Sequence, residues 1–301
     1  MPIVPSWFNL FPHFLGVLGG SILAELAQRF PAVVNLLPRP YNIRIVTTPH
    51  GDARMKLVLL GTTGYHANDR RQTACLMLPE AGIVFDAGSG FYRVSEYLET
   101  DELNVFLSHV HLDHSLGLTY MFDVRADAPQ LGRVTAHLEP DKLAAIKKHL
   151  LADLLFPVMP PLELQSLAPE FKLQDGGRLT HFPLRHPGGS VGFRIDWPDR
   201  SFAYVTDTTA HVDAAYVEKL RGVDLLVHEC YFVDDSPEQA ELTGHSCLND
   251  VLAVAKKAGV GKLVLVHINP LVTDDAAIDL VAAKKVFANT EIGVDRMEID
   301  F

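Results

Sequence analysis

The stretch FLSHVHLDHSLGL, residues 106–118, places three histidines and one aspartate within the six positions from His109 to His114. The apolar run from Val105 to Leu107 reads as a buried strand, and the chain leaves it at Ser108 to expose His109. In a locally extended segment residues two apart face the same way, so His109 and His111 can converge on one ion. Asp113 and His114 open the next element and face elsewhere, which gives two neighbouring clusters instead of one. Zinc accepts imidazole nitrogen and carboxylate oxygen, and two ions about 4 Å apart can hold a hydroxide between them. A lone histidine is more often surface or core than ligand. Four such donors in six residues at a strand terminus reverse that reading.

Working outward, the segments before the cluster alternate strand and turn: YNIRIVTTP (41–49), MKLVLLGTTG (55–64), TACLMLP (73–79), GIVFDAGSG (82–90) and LNVFLSH (103–109). Beyond it, DKLAAIKKHLLADLLF (141–156) reads as a helix whose first turn accepts Pro140 and Asp141. Strands follow at 178–186, 190–197 and 201–208, then a helix near 214–220, a strand at 224–231, a helix near 246–258 and a strand at 262–269. Strands with intervening helices in both halves fit an α/β fold of two sheets packed face to face with helices outside. Residues 1–40 read as an extension with one apolar helix from about Val17 to Arg29, followed by Pro31, Pro38 and Pro40. The main domain is expected over residues 41–301.

The chain has 301 residues, 48% hydrophobic and 21% charged, so it can bury a sizeable core and disorder throughout is excluded. Its formal charge of -11 disfavours long nucleic acid, whose non-specific affinity comes from neutralised phosphates. A metal-lined pocket can still accept a short phosphorylated ligand. Cys75, Cys230 and Cys247 form no CxxC pair, which points to a reducing compartment such as the cytosol. The apolar run FLGVLGGSILAELA (14–27) has no Lys or Arg before it, and Gln28 and Arg29 end it early. It reads as a packed helix and not as a secretory signal or stable membrane insertion, with a membrane-surface or dimer contact as the alternative.

The pattern His109-Val110-His111-Leu112-Asp113-His114 resembles the HxHxDH signature of the metallo-β-lactamase superfamily, and the resemblance covers most of residues 55–300. It implies an αββα sandwich with a binuclear metal site at the sheet edges. Later landmarks come in order: LRHPGGSVGFRI (184–195), YVTDTT (204–209) and LVLVHINP (263–270). Carried over residue by residue, the resemblance makes His109, His111 and His186 ligands of one metal. Asp113, His114 and His267 then hold the second, with Asp207 bridging. Zinc is the expected ion at both sites, with manganese or iron as alternatives. Asp86, in IVFDAGSG, resembles an aspartate that orients the histidine loop, although a turn before Gly88 and Gly90 also explains an aspartate there.

LLVHECYF (225–232) and GHS (244–246), together with LLGTTG (59–64) and RRQTACLML (70–78), resemble the ribonuclease Z branch of that superfamily. The chemistry behind the extra residues is the leaving group: hydrolysis of a phosphodiester expels an alkoxide, which needs a proton as the P–O bond breaks. His245 held by Glu229 suits that task, with Asp113 or Asp207 orienting the nucleophile. The plainer reading makes His245 a helix cap beside Ser246 and Glu229 a solvated loop acid. Two departures turn the expectation from transfer RNA toward a small or cyclic phosphodiester. His186 and Asp207 are only 21 positions apart, room for a hairpin and not for an exosite arm, and Leu112 stands where the branch commonly has glycine. The rival readings are a transfer RNA 3′-processing endonuclease, a lactone, ester or thioester hydrolase, and a non-catalytic metal-containing binding protein; a homodimer is compatible with each. His66, Tyr65 and Phe193 are candidate pocket residues, whereas His137, His181, His211 and His228 are read as structural.

Overall fold

Strand β1 (Lys56–Gly61) explains why two sheets form. Leu57 and Leu59 point into one apolar cluster, Val58 and Leu60 into another, so both faces of the strand are buried and its sequence is a continuous apolar run instead of an alternation. The computed structural model describes residues 55–233, 236–272, 274 and 278–301. The extension at 1–40, its helix at 17–29 and the strand at 41–49 lie outside the described residues.

The first sheet runs β14 (Glu298–Asp300), β1, β2 (Cys75–Leu78), β3 (Ile83–Phe85), β4 (Glu102–Phe106), β5 (Arg133–Leu138) and β6 (Glu163–Ser166). The second runs β13 (Thr290–Ile292), β12 (Lys262–Val266), β11 (Leu225–Glu229), β10 (Ser201–Val205), β9 (Ser190–Asp196), β8 (Arg178–Leu184) and β7 (Glu170–Lys172). Between the sheets Phe85 lies 5.2 Å from Phe193 and 5.5 Å from Phe202, ring centre to centre. Phe193 is therefore a core residue and lines no pocket, a correction to the sequence reading: its β9 neighbours alternate, and its side falls inward.

Helices α1 (Val94–Tyr97), α2 (Leu112–Ser115), α3 (Met121–Asp127) and α4 (Pro140–Ala145) belong to the first half of the chain. Val94, Met121 and Val124 cover the outer face of the first sheet. Helices α5 (Pro237–Thr243), α6 (Leu248–Ala258) and α7 (Leu280–Val286) follow in the second half. On the outer face of the second sheet Val251, Leu252, Val254 and Ala255 of α6 pack against Ala203, Leu226 and Leu263. The layers are α, β, β, α. Burying each such valine or leucine contributes about 1.5–3 kcal/mol, which is what holds the layers against chain entropy.

The helix expected over 141–156 is shorter. It opens as read, with Pro140 in the first turn and Asp141 beside it. It then widens into a π turn at Ile146–Leu150 and stops, with Leu155 and Phe156 N–H both donating to Ala152 O. Pro157 bars helix at the residues before it. Leu154 is 98% and Leu155 72% exposed, so no core face rewards continuation.

Strands β3 to β6 are mutually parallel, as are β10 to β13, and β8 runs with β10 because each pairs antiparallel with β9. The carboxyl ends of β3, β4, β8, β10, β11 and β12 carry Asp86, His109, His186, Asp207, Glu229 and His267, the usual place for a site in such sheets. Between His186 and Asp207 the chain makes only the β9–β10 hairpin, as its length required.

Candidate metal centre

Three of these strand ends turn out of the sheet through a left-handed residue: Asp86 (φ 57°), Asp207 (φ 47°) and His267 (φ 56°). Such backbone costs on the order of 1–2 kcal/mol for a residue with a Cβ, so surrounding bonds must hold it. At Asp86 they are visible. Its buried carboxylate accepts from Ser108 N–H at 2.8 Å, Ser108 Oγ at 2.9 Å, Tyr204 OH at 2.9 Å and His114 Nδ1 at 2.8 Å. Asp86 thus fixes the tautomer of His114 and leaves Nε2 to face the centre. His109 is buried, not exposed as the sequence suggested. Its Nδ1 meets Ser108 Oγ at 3.0 Å, which ties it through the serine to the same aspartate.

The expected donors come together in two groups. His109, His111, His186 and Asp207 offer atoms within 4.8 Å of one another, and so do Asp113, His114, Asp207 and His267. Asp207 is shared, one oxygen to each. Oδ2 lies 3.4 Å from His109 Nε2 and 3.5 Å from His186 Nε2. Oδ1 lies 3.2 Å from both His114 Nε2 and His267 Nε2. Asp113 Oδ2 completes the second group, 3.4 Å from His267 Nε2.

These residues fit divalent cations. Two imidazole nitrogens on one tetrahedral zinc stand about 3.3 Å apart at ordinary bond lengths. His111 Nδ1 and His186 Nε2 are 3.2 Å apart, His114 Nε2 and His267 Nε2 3.1 Å, although neither pair has another reason to face ring nitrogens together. His109 Nε2 is buried with no hydrogen-bond partner among the described residues. Among those residues no lysine or arginine pairs with Asp113 or Asp207, so the only side chains able to carry positive charge beside them are imidazoles.

Protonation follows environment. Burial pushes His109, His111 and His186 below the ordinary histidine value, keeping them neutral. Burial opposes charge on Asp113 and Asp207 too, yet His114 and His267 hold both well below the usual carboxylate range. Against burial, Asp207, Asp86 and Asp113 raise His114 well above its ordinary value.

Beside the two groups stands the third constellation read from the sequence. Glu229 is fully buried and accepts from Thr208 N–H at 2.8 Å and Ser246 N–H at 3.2 Å, so it is not a solvated loop acid. Its Oε1 lies 3.2 Å from His245 Nδ1. Burial would lower His245, but Glu229 outweighs it and pushes the imidazole up to about 9. Nor does His245 cap a helix; the residue before α6 is Cys247. The ring of His245 lies 5.2 Å from those of His186 and His267. One residue earlier, Gly244 O accepts from His186 Nδ1 at 2.9 Å, so the same loop steadies a donor of the first group.

Some roles were not read from the sequence. Ser108, Tyr204 and the Gly244 carbonyl orient donors, the Tyr65 N–H donates to Asp113 Oδ2 at 2.7 Å, and Tyr231 stacks on His245. Ser108 and Tyr231 lie inside the stretches FLSHVHLDHSLGL and LLVHECYF, but their contacts depend on the fold. Leu112 is 65% exposed and faces outward, not into the core. His66 is exposed, bonds Ala67 O through Nδ1, and joins neither group. His137 and His228 are buried in structural settings, bonded to Asn104 and Tyr216.

A sequence profile described as a beta-lactamase superfamily domain matches residues 82–268. Ribonuclease Z of Methanosarcina acetivorans is 28% identical, the match covering 82% of this chain and 98% of that protein. Among solved structures the fold is similar to the metallo-beta-lactamase fold protein YhfI of Bacillus subtilis, with TM-score 0.70 and 20% identity over 83% of this chain and all of that one. Human tRNase Z, short form, follows with TM-score 0.63 and 19% identity over 81% of this chain and 98% of that one.

Proposed function

The chain belongs to the metallo-β-lactamase superfamily, and on that premise we propose that it is a binuclear metal-dependent phosphodiesterase acting on a small or cyclic phosphodiester. The observation that carries the reading is His245, held by a buried glutamate within ring contact distance of donors from both groups. A water nucleophile alone serves any ester; a positioned acid serves a poor leaving group.

His109, His111 and His186 would hold one cation and Asp113, His114 and His267 the other, with Asp207 between them. Two divalent ions there supply an activated water at neutral pH and neutralise phosphoryl charge. The imidazole-rich first group suits zinc; the second, richer in carboxylate, also accepts manganese or iron. Asp113 and Asp207 orient the proton of the attacking water. As phosphorus takes the new oxygen, His245 passes its Nε2 proton to the departing ester oxygen. Glu229 keeps the opposite nitrogen engaged, so the ring cannot rotate away while the bond breaks.

Substrate size follows from the short β9–β10 hairpin and from a net charge of -11, which give a long RNA no track. Similarity to ribonuclease Z favours the second reading, transfer RNA 3′ processing, and the same assay includes a precursor RNA. Cytosolic residence agrees with cysteines that all lie buried in the core, and among the described residues no helix is long and apolar enough to cross a membrane.

The test compares metal-loaded wild type and His245→Ala on diesters of poor and good leaving groups. Turnover of an alkyl or cyclic diester should fall at least about tenfold. Bis(p-nitrophenyl) phosphate should be nearly unaffected. Equal losses on both, or lactones and thioesters hydrolysed faster than any diester, overturn the reading.

A further inference from the structure

Two tyrosines border the centre, and packing does not account for them. Tyr65 is 74% exposed, yet its backbone is left-handed at φ 61°, a conformation that bulky side chains avoid. Held there, its N–H reaches Asp113 Oδ2, and among the described aromatic rings its own meets only His66, edge-on at 5.2 Å. Strain kept at an exposed aromatic beside donor residues points to a task outside the fold.

Tyr231 lies two residues beyond Glu229, where β11 ends. Its ring is face-on to His245, 4.7 Å between centres and 18° between planes, and 5.9 Å from His267. Among the described residues no group hydrogen-bonds its hydroxyl, although the ring is half-buried. The Asp113 oxygen that accepts the Tyr65 N–H lies 3.4 Å from His267 Nε2, so both tyrosines border the centre on its His267 side.

We propose that Tyr65 and Tyr231 are specificity-determining residues that receive a planar ring on the ester, an aryl group or a nucleobase. This rests on the phosphodiesterase reading and narrows it. An aromatic face accepts any flat ring without reading its edge, and such stacks commonly change affinity by about tenfold or more. Two tyrosines at one mouth accommodate one ring, which suits a small diester and not a polymer.

The experiment measures binding of phenylphosphonate and methylphosphonate to the metal-loaded, full-length protein by calorimetry. Wild type should bind the phenyl compound about tenfold more tightly. Tyr65→Gly, which also relieves the left-handed strain, and Tyr231→Leu should each cut that ratio at least threefold, whereas Tyr231→Phe retains it. A wild-type ratio near one, or an unchanged ratio in both ring-removing variants, overturns the proposal. Because the readout is binding, it judges the tyrosines even if no diester is turned over, a result that would instead remove the phosphodiesterase reading.

Discussion

The two donor groups share Asp207 but are steadied by opposite means. In the first, His186 is anchored to a neutral carbonyl, that of Gly244, His111 is the donor most open to solvent, and partial or full desolvation lowers the basicity of the three imidazoles. In the second, His114 is anchored to the Asp86 carboxylate, Asp113 adds another charge, and His114 and His267 are buried. A carboxylate partner raises the basicity of a ligand imidazole more than a carbonyl does. The difference teaches that one carboxylate can serve two environments: a softer, more open group and a rigid, negatively charged one.

The largest effect should come from erasing what the groups have in common. Asp207→Ala removes an oxygen from each, and metal content should drop from two ions to fewer than one per chain with at least about a hundredfold loss of turnover. Retention of one tightly held ion would break the symmetry between the groups. Next come two substitutions that separate them. Asp86→Asn should weaken the second site by about 10- to 100-fold, since loss of an outer partner commonly costs that much. Gly244→Ala should weaken the first, because a Cβ there would stand 2.8 Å from His186 Nδ1 and 2.4 Å from Pro187 Cδ on a backbone at φ +74°. Chelator competition with cobalt-loaded protein reads each site; both variants emptying the same site would contradict the comparison.

The smallest effect sharpens the comparison from outside the centre. His137 lies on β5 with only an amide partner, Asn104, and its ring stacks on Phe106 at 4.5 Å. Burial without a carboxylate pushes it down to about 4, the reverse of His114. The folded chain therefore refuses a proton that the unfolded chain takes near pH 6.5. Stability should be full above that pH and decline as pH falls toward 4; His137→Gln should flatten that part of the unfolding profile in metal-free protein.

Much of this was legible because the donors sit in short motifs at strand ends, where residue type and local spacing suffice. Residue type and spacing singled out His109 to His114, while His186, Asp207 and His267 were legible through the resemblance of their motifs; the donor atoms of each group lie within 4.8 Å of one another. What escaped depends on register. Tyr204 belongs to SFAYV, which reads as plain core, and only its place opposite Phe193 sets its hydroxyl across the sandwich on Asp86. Strands β6, β7, β13 and β14, three or four residues each, are held by pairing partners and carry little periodicity of their own. The helix at 141–156 was overrun for the converse reason: leucines at helical spacing continued after the surface they would cover had ended.

Gly244 and His245 are joined by a single peptide unit, one holding a donor histidine by its carbonyl and the other held by Glu229 through its imidazole. A shift in that loop cannot change the His245–Glu229 contact without also moving His186, nor relax His186 without swinging His245. A substitution at either residue is therefore felt by both, and the two positions respond to change as one unit.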